Sequence, residues 1–268
     1  MATYYVIARM DGTRQIGPDR QVVDLAAALE RGITTFLTEP AEVESSPAEP
    51  YGLLLHPEPA QSGLGIADDM TLTLGVDGSF RLFQLQAVPA PEHFVPASSV
   101  GAQAIVTREF LAVAEVASWW AYGPNGQRVL GLLYALGNLQ REQLDRIGKR
   151  IDAAGLNFAR HKFDALAKAD AAISASGRAG AARLARGYAR AATYGTWEKD
   201  SALSHAASAA GDLAYVLTVG DLIEEDYADH LAGWLAPEIP DVGYAGDAVD
   251  YPKPGQPEFE PEQVELDA

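Results

Sequence analysis

Histidines, arginines and two adjacent tryptophans are the residues of this 268-residue chain whose types and spacing could support chemistry. His161 and Asp164 lie three apart, Asp226 and His230 four apart, and His205 precedes Asp212 by seven. On helices such spacings set each pair on one face, and a helical bundle can build a carboxylate–histidine metal centre from facing helices. A di-iron centre of that kind needs two Glu-x-x-His pairs, and the sequence contains none. Histidines on the wet side of amphipathic helices explain the same spacing, so no metal ligand is assigned. The run DLIEED could hold a hard cation, but Asp221 and Glu224 already fit the N-cap and N3 positions of a capping box. Trp119-Trp120 could form a stacking platform for a sugar or base. The expectation is instead one ring in the core and one beneath a loop. The chain has no cysteine, which removes disulfides, thiolate metal sites and cysteine nucleophiles. It also lacks G-x-S-x-G, P-loop, G-x-G-x-x-G, H-E-x-x-H and EF-hand patterns, so no catalytic residue and no cofactor is assigned.

The arginines pose a different question. The net charge is −17, with 37 acidic residues, which opposes binding to phosphate backbones over the whole surface. Yet residues 141–190 hold 11 Lys/Arg against 5 Asp/Glu, and the stretch AAISASGRAGAARLARGYARAATYG lies at their end. Projected as one helix with Arg178 at zero, Arg183, Arg186 and Arg190 fall at about 140°, 80° and 120°. Ile173, Leu184, Tyr188 and Ala191 fall at about 220° to 280° on the opposite side. The segment reads as an amphipathic helix with a basic outer face, and Arg183, Arg186 and Arg190 are its candidate anion- or partner-binding residues.

The elements that would position these residues have two textures, giving an α+β fold class: a small β-rich, mixed α/β region, then an all-α bundle and an extended acidic arm. Residues 1–88 form the first part. TYYVIARM is a strand ended by Asp11-Gly12, a hairpin-type turn pair. DLAAALERG is a short helix closed by Gly32, and ITTFLTEP and YGLLLHPEP are short strands cut by prolines. In TLTLGVDGSFRLFQLQAV a hairpin turns at Asp77-Gly78, and the alternation changes parity between Leu82 and Phe83. A β-bulge there is favoured over a strand buried on both faces. Residues 89–106, with several prolines, are expected to be a linker.

Residues 107–236 are expected to hold about seven helices. Thr107 would cap the first, through SWWAYG, and QRVLGLLYALGN the second. Asn138 would cap LQREQLDRIGKRIDAAG, whose Glu142/Arg146 and Asp145/Lys149 pairs stand four apart in the favourable order. Asn157 opens a long stretch, followed by SALSHAASAAGDLAYVLTVG and DLIEEDYADHLAGWL. The tail, 237–268, is rich in proline and acidic residues, the composition of an arm without its own core. Tyr244, Tyr251 and Phe259 are its candidate anchors. No signal peptide or transmembrane run is read, so the expected location is the cytoplasm or a particle assembled there.

The segments AAISASGRAGAARLARGYARAA and GDLAYVLTVGDLIEEDYADHLAGWL resemble alanine-rich helical proteins of unknown function from actinobacteria and their phages. That resemblance implies a source and no activity. The leading expectation is a non-enzymatic interaction or assembly protein encoded by a phage or mobile element. It would bind a protein partner, or itself, through the helical region and acidic arm. The alternatives are a nucleic-acid-binding regulator using the basic face 141–190, which is not favoured, and a metal-dependent enzyme in the helical half. No membrane partner is expected.

Overall fold

The computed structural model describes residues 3–16, 21–37, 52–62, 80–87, 94–96, 103–194, 201–224 and 226–239. Its N-terminal half is built of strands and its C-terminal half of helices, an α+β fold. The strands are β1 (Thr3–Ala8), β2 (Thr13–Ile16), β3 (Gln21–Asp24), β4 (Thr35–Phe36), β5 (Leu53–Leu55), β6 (Arg81–Ala87), β7 (Phe94–Pro96), β8 (Gln103–Thr107) and β9 (Glu109–Val116). They form an antiparallel sheet of order β1-β6-β9-β4, a β2-β3 pair and a three-stranded sheet β5-β8-β7. A backbone bridge between Tyr5 and His56 ties β1 to the chain just after β5. Helix α1 (Leu25–Arg31) begins where the Asp24 carboxylate accepts from the Ala27 N–H at 2.9 Å and ends at Gly32. Gly32 has φ +60, a left-handed conformation that glycine adopts without a Cβ clash.

The four-stranded sheet serves two cores, because alternate residues of a strand point to opposite faces. Tyr5, Ile7, Phe80 and Leu82 join the helical core, while Val6, Ala8, Phe83, Leu85 and Ala87 join a second core with Leu25, Leu53, Leu55 and Phe110. This corrects the reading of the parity change at Leu82–Phe83. Both residues are buried, one in each core. The register irregularity lies further on, where Gln84 faces Ala114 and Leu85 faces Ala112, leaving Val113 of β9 as the extra residue. The expected hairpin at Asp77-Gly78 lies outside the described residues.

Two further expectations change. Residues 89–106, expected as linker, contribute β7 and most of β8. The helix expected from Thr107 is strand β9, followed by a 3-10 helix at Ser118–Tyr122. Phe110 and Ala112 are buried at a period of two against β6, so sheet pairing outweighs the helix propensity of Ala and Glu. The buried Thr107 hydroxyl donates to the Glu109 carbonyl at 2.7 Å, fixing the corner between β8 and β9 where a cap was expected.

The helices that follow are α2 (Gly126–Gly137), α3 (Arg141–Ala154), α4 (Leu156–Ser176), α5 (Ala179–Tyr194), α6 (Ser201–Leu217) and α7 (Asp226–Leu235). Gln140 caps α3 through a capping box with Gln143, where Asn138 was expected. Gly148 of α3 lies against α6 so closely that an added Cβ would stand 1.9 Å from the Ala202 carbonyl oxygen. Small residues let these backbones meet: Ala202, Ala206, Ala209, Ala210 and Ala214 of α6 are all buried. No helix among the described residues is long and apolar enough to cross a membrane. The arm, with Tyr244, Tyr251 and Phe259, lies outside the described residues.

Candidate binding groove

Helix α6 is alanine-rich, yet it carries a polar line at His205, Ser208, Asp212 and Tyr215. Steps of three, four and three residues place these on one face of a helix. Each meets a neighbouring helix. His205 Nδ1 contacts the Asp152 carboxylate of α3. Ser208 accepts from Lys162 Nζ of α4 at 3.1 Å and donates to Asp212 at 3.4 Å. Tyr215 donates to Asp170 of α4 at 2.7 Å.

Asp212 is the centre of this line. Its side chain is 0% exposed, and its carboxylate contacts Lys162 Nζ at 2.6 Å and the Arg186 guanidinium of α5. A buried carboxylate away from water demands charged partners, because desolvation penalises an isolated ion by several kcal/mol. The Arg186 guanidinium also lies 5.0 Å above the Tyr215 ring centroid. Tyr215 ionisation is pushed up to about 12, first by burial and then by its hydrogen bond to Asp170.

Beside this line, α3, α4 and α6 enclose an open groove of about 450 Å³. The cause is local. The single residue Gly155 separates α3 from α4, with φ +48. The chain turns there, and both helices pack against α6. Ile151, Phe158 and Leu166 supply apolar walls, and Lys162, Ser208, Asp152 and His205 supply the polar side. Phe163, which lines the groove, is 73% exposed. Large apolar groups that bare beside a concave, mostly apolar surface are features of a ligand site.

The sequence-predicted residues fall partly in and partly outside this site. Gly177, with φ +72, ends α4, so the arginine stretch is two helices, and the projection holds only within α5, where Leu184 and Tyr188 are buried. Arg178 sits in the break and reaches the Thr218 carbonyl and Asp221, the latter at 2.6 Å. Asp221 therefore serves Arg178 and does not cap α7, which starts five residues later at Asp226. Within α5, Arg183 and Arg190 are exposed, whereas Arg186 turns to Asp212. Arg190 and Arg186 lie over Gly211 of α6, whose added Cβ would come 2.9 Å from the Arg190 side chain. Ala191, projected onto the apolar side, is exposed.

The metal candidates do not converge. His161 of α4 and His230 of α7 stack ring on ring, with centroids 4.9 Å apart and planes 1° apart. Parallel stacked rings present faces to each other and do not aim their nitrogens at a shared ion. His205 and Asp212 are bound elsewhere, as described. Among the described residues, no group of three His, Asp or Glu side chains is placed to hold a metal ion. Trp119 and Trp120 meet edge to face at 6.1 Å and are half-buried, with Trp120 packed on the helical core. The core contact expected for one ring of the pair is thus made by Trp120.

Comparison with protein-family models, curated proteins and solved structures finds no match. The groove must be interpreted from its own chemistry. The sequence reading weighed His205 and Asp212 as metal ligands and missed Asp152, Lys162, Ser208 and Tyr215. A signal was present in the spacing of His205, Ser208, Asp212 and Tyr215 on an otherwise small and apolar helix. A polar line on such a helix requires polar partners from its neighbours.

Proposed function

We propose that the protein is a non-enzymatic interaction protein whose helical half receives an apolar group in the groove between α3, α4 and α6. The observation that carries this reading is the open apolar concavity of about 450 Å³, lined in part by the exposed Phe163. Its polar groups support binding more than catalysis, because they are engaged with one another. Ser208 is held between Lys162 and Asp212, and Asp152 holds His205. The nucleic-acid alternative has less support, since Arg186 is directed to Asp212 and Tyr215.

The test uses N-phenyl-1-naphthylamine, a neutral apolar probe that fluoresces on leaving water. The wild-type protein is expected to bind it saturably at one site. Ala159 is exposed on α4 and lines the groove, so Ala159→Trp should fill the concavity and abolish that signal without touching the core. Equal binding by wild type and variant, or none by wild type, overturns the proposal.

A further inference from the structure

The electrostatics of the groove specify its ligand more narrowly. Resting on the groove reading, we infer that the ligand is a single-headed apolar anion, an aliphatic or aromatic body of roughly ten carbons bearing one carboxylate. The body follows from the walls: Ile151, Phe158, Ala159 and Leu166 are apolar, and about 450 Å³ accommodates a small ligand of that size. The head follows from the charges within reach.

Asp212 has no exposed side-chain surface, so it cannot meet a ligand. Its charge is met by two cations, Lys162 and Arg186. Of these cations, Lys162 lines the groove and its side chain is 29% exposed. Ser208 accepts from Lys162 Nζ and gives its own proton to Asp212, so it helps to hold the ammonium in place. The opposing carboxylate in the groove, Asp152, is occupied by His205. An entering cation would face Lys162 and would have to compete with His205 for Asp152. An entering carboxylate would gain a charge-assisted hydrogen bond from Lys162, which is stronger than a neutral one. Asp212 then acts as a positioning residue: it holds the Lys162 ammonium against the helix so that it stands over the wall.

Isothermal titration of the full chain with decanoate, 1-decanol and decyltrimethylammonium tests this. Decanoate is expected to bind at one site, at least tenfold tighter than either of the others. Lys162→Gln should weaken decanoate binding tenfold or more while changing decanol binding less than twofold. Its fold is checked by far-ultraviolet circular dichroism, and Arg186 remains as the counter-ion of Asp212. Asp152→Asn, at an exposed position, should strengthen decanoate binding by removing the opposing charge. Decanol or the ammonium compound binding as tightly as decanoate overturns the anion assignment and leaves the groove intact. An unchanged or weaker affinity for decanoate in Asp152→Asn also overturns it. If none of the three binds, and none displaces the naphthylamine probe, the groove reading itself falls.

Discussion

Among the described residues, Arg14 is a buried charged residue of the sheet half and Asp212 one of the helical half. Arg14 of β2 donates through Nη1 to the Ile7 carbonyl at 2.9 Å, and burial pulls its ionisation down to about 10. Asp212 of α6 instead gathers two side-chain cations from α4 and α5. The difference follows from the donor inventories. A guanidinium has several donors and can be stabilised by backbone carbonyls that a sheet already supplies. A carboxylate only accepts, and buried helix backbone has its N–H groups committed to its own turns, so the partners must arrive from neighbouring helices. Arg14 is thus satisfied within one sheet region, whereas Asp212 fixes the mutual placement of three helices.

The sharpest way to break this comparison is to strip Asp212 of its cations. The double substitution Lys162→Met, Arg186→Met leaves a fully buried carboxylate without a charged partner. The expected loss is about 3–5 kcal/mol by urea denaturation. Asp212→Asn should cost less, about 1–3 kcal/mol, because Lys162 and Arg186 are about one-third exposed and can turn to water. Equal costs for the two variants would show that the cluster is ordinary packing and that Asp212 does not organise it.

Next in size is the contact that lets α3 reach α6. Gly148→Ala places a methyl group 1.9 Å from the Ala202 carbonyl oxygen, so the helices must separate. Overpacking of this kind costs about 1–3 kcal/mol. Gly131 of α2 has nothing within 4 Å of its added Cβ, and Gly131→Ala should stabilise by about 0.5–1 kcal/mol through helix propensity. Thermal unfolding of the two variants in opposite directions is the expected result. A neutral Gly148→Ala would mean that α3 and α6 have room to move.

The sequence showed the α+β order, the ends of α1 and the Asp145/Lys149 pair, which stands at 2.6 Å, because each depends on residues close along the chain. What it hid depended on distant partners. Glu109–Val116 reads as a helix on local propensity and becomes a strand because β6 pairs with it. Arg146 was paired with Glu142 and turns instead to Glu238, 92 residues away. The groove was hidden for the same reason. Its polar line is visible in α6 alone, but Asp152, Lys162 and Asp170 meet it only after the chain turns at Gly155 and Gly177.

Removing the sheet half's buried charge should have a smaller effect than disarming Asp212. Arg14→Met keeps similar volume and leaves no unpartnered ion, and a change within about 1.5 kcal/mol is expected. A loss above about 3 kcal/mol, measured in the same urea titration, would show that Arg14 organises its surroundings as Asp212 does. The contrast between the halves would then disappear.

Exposed pairs should matter least, and pH separates them from the buried cluster. Arg81 of β6 holds Glu115 of β9 through two contacts, at 2.9 and 2.5 Å, with side chains 26% and 40% exposed. The Arg81 hydrogen bond lowers the Glu115 ionisation below its ordinary 4.5, against a smaller opposing effect of burial. A carboxylate whose folded pKa is depressed contributes stability that is present above its unfolded value. That contribution is lost as pH falls from about 4.5 through the lower folded value. Water screens this pair, so Glu115→Gln should cost only about 0.2–1 kcal/mol at pH 7. The cost should shrink further in 1 M salt and vanish once pH falls below the lowered folded value, as the wild-type carboxylate protonates. A cost that stays constant as pH is lowered to the acid limit of the fold would show that packing of the side chain, and not its charge, is what β6 and β9 share at this position.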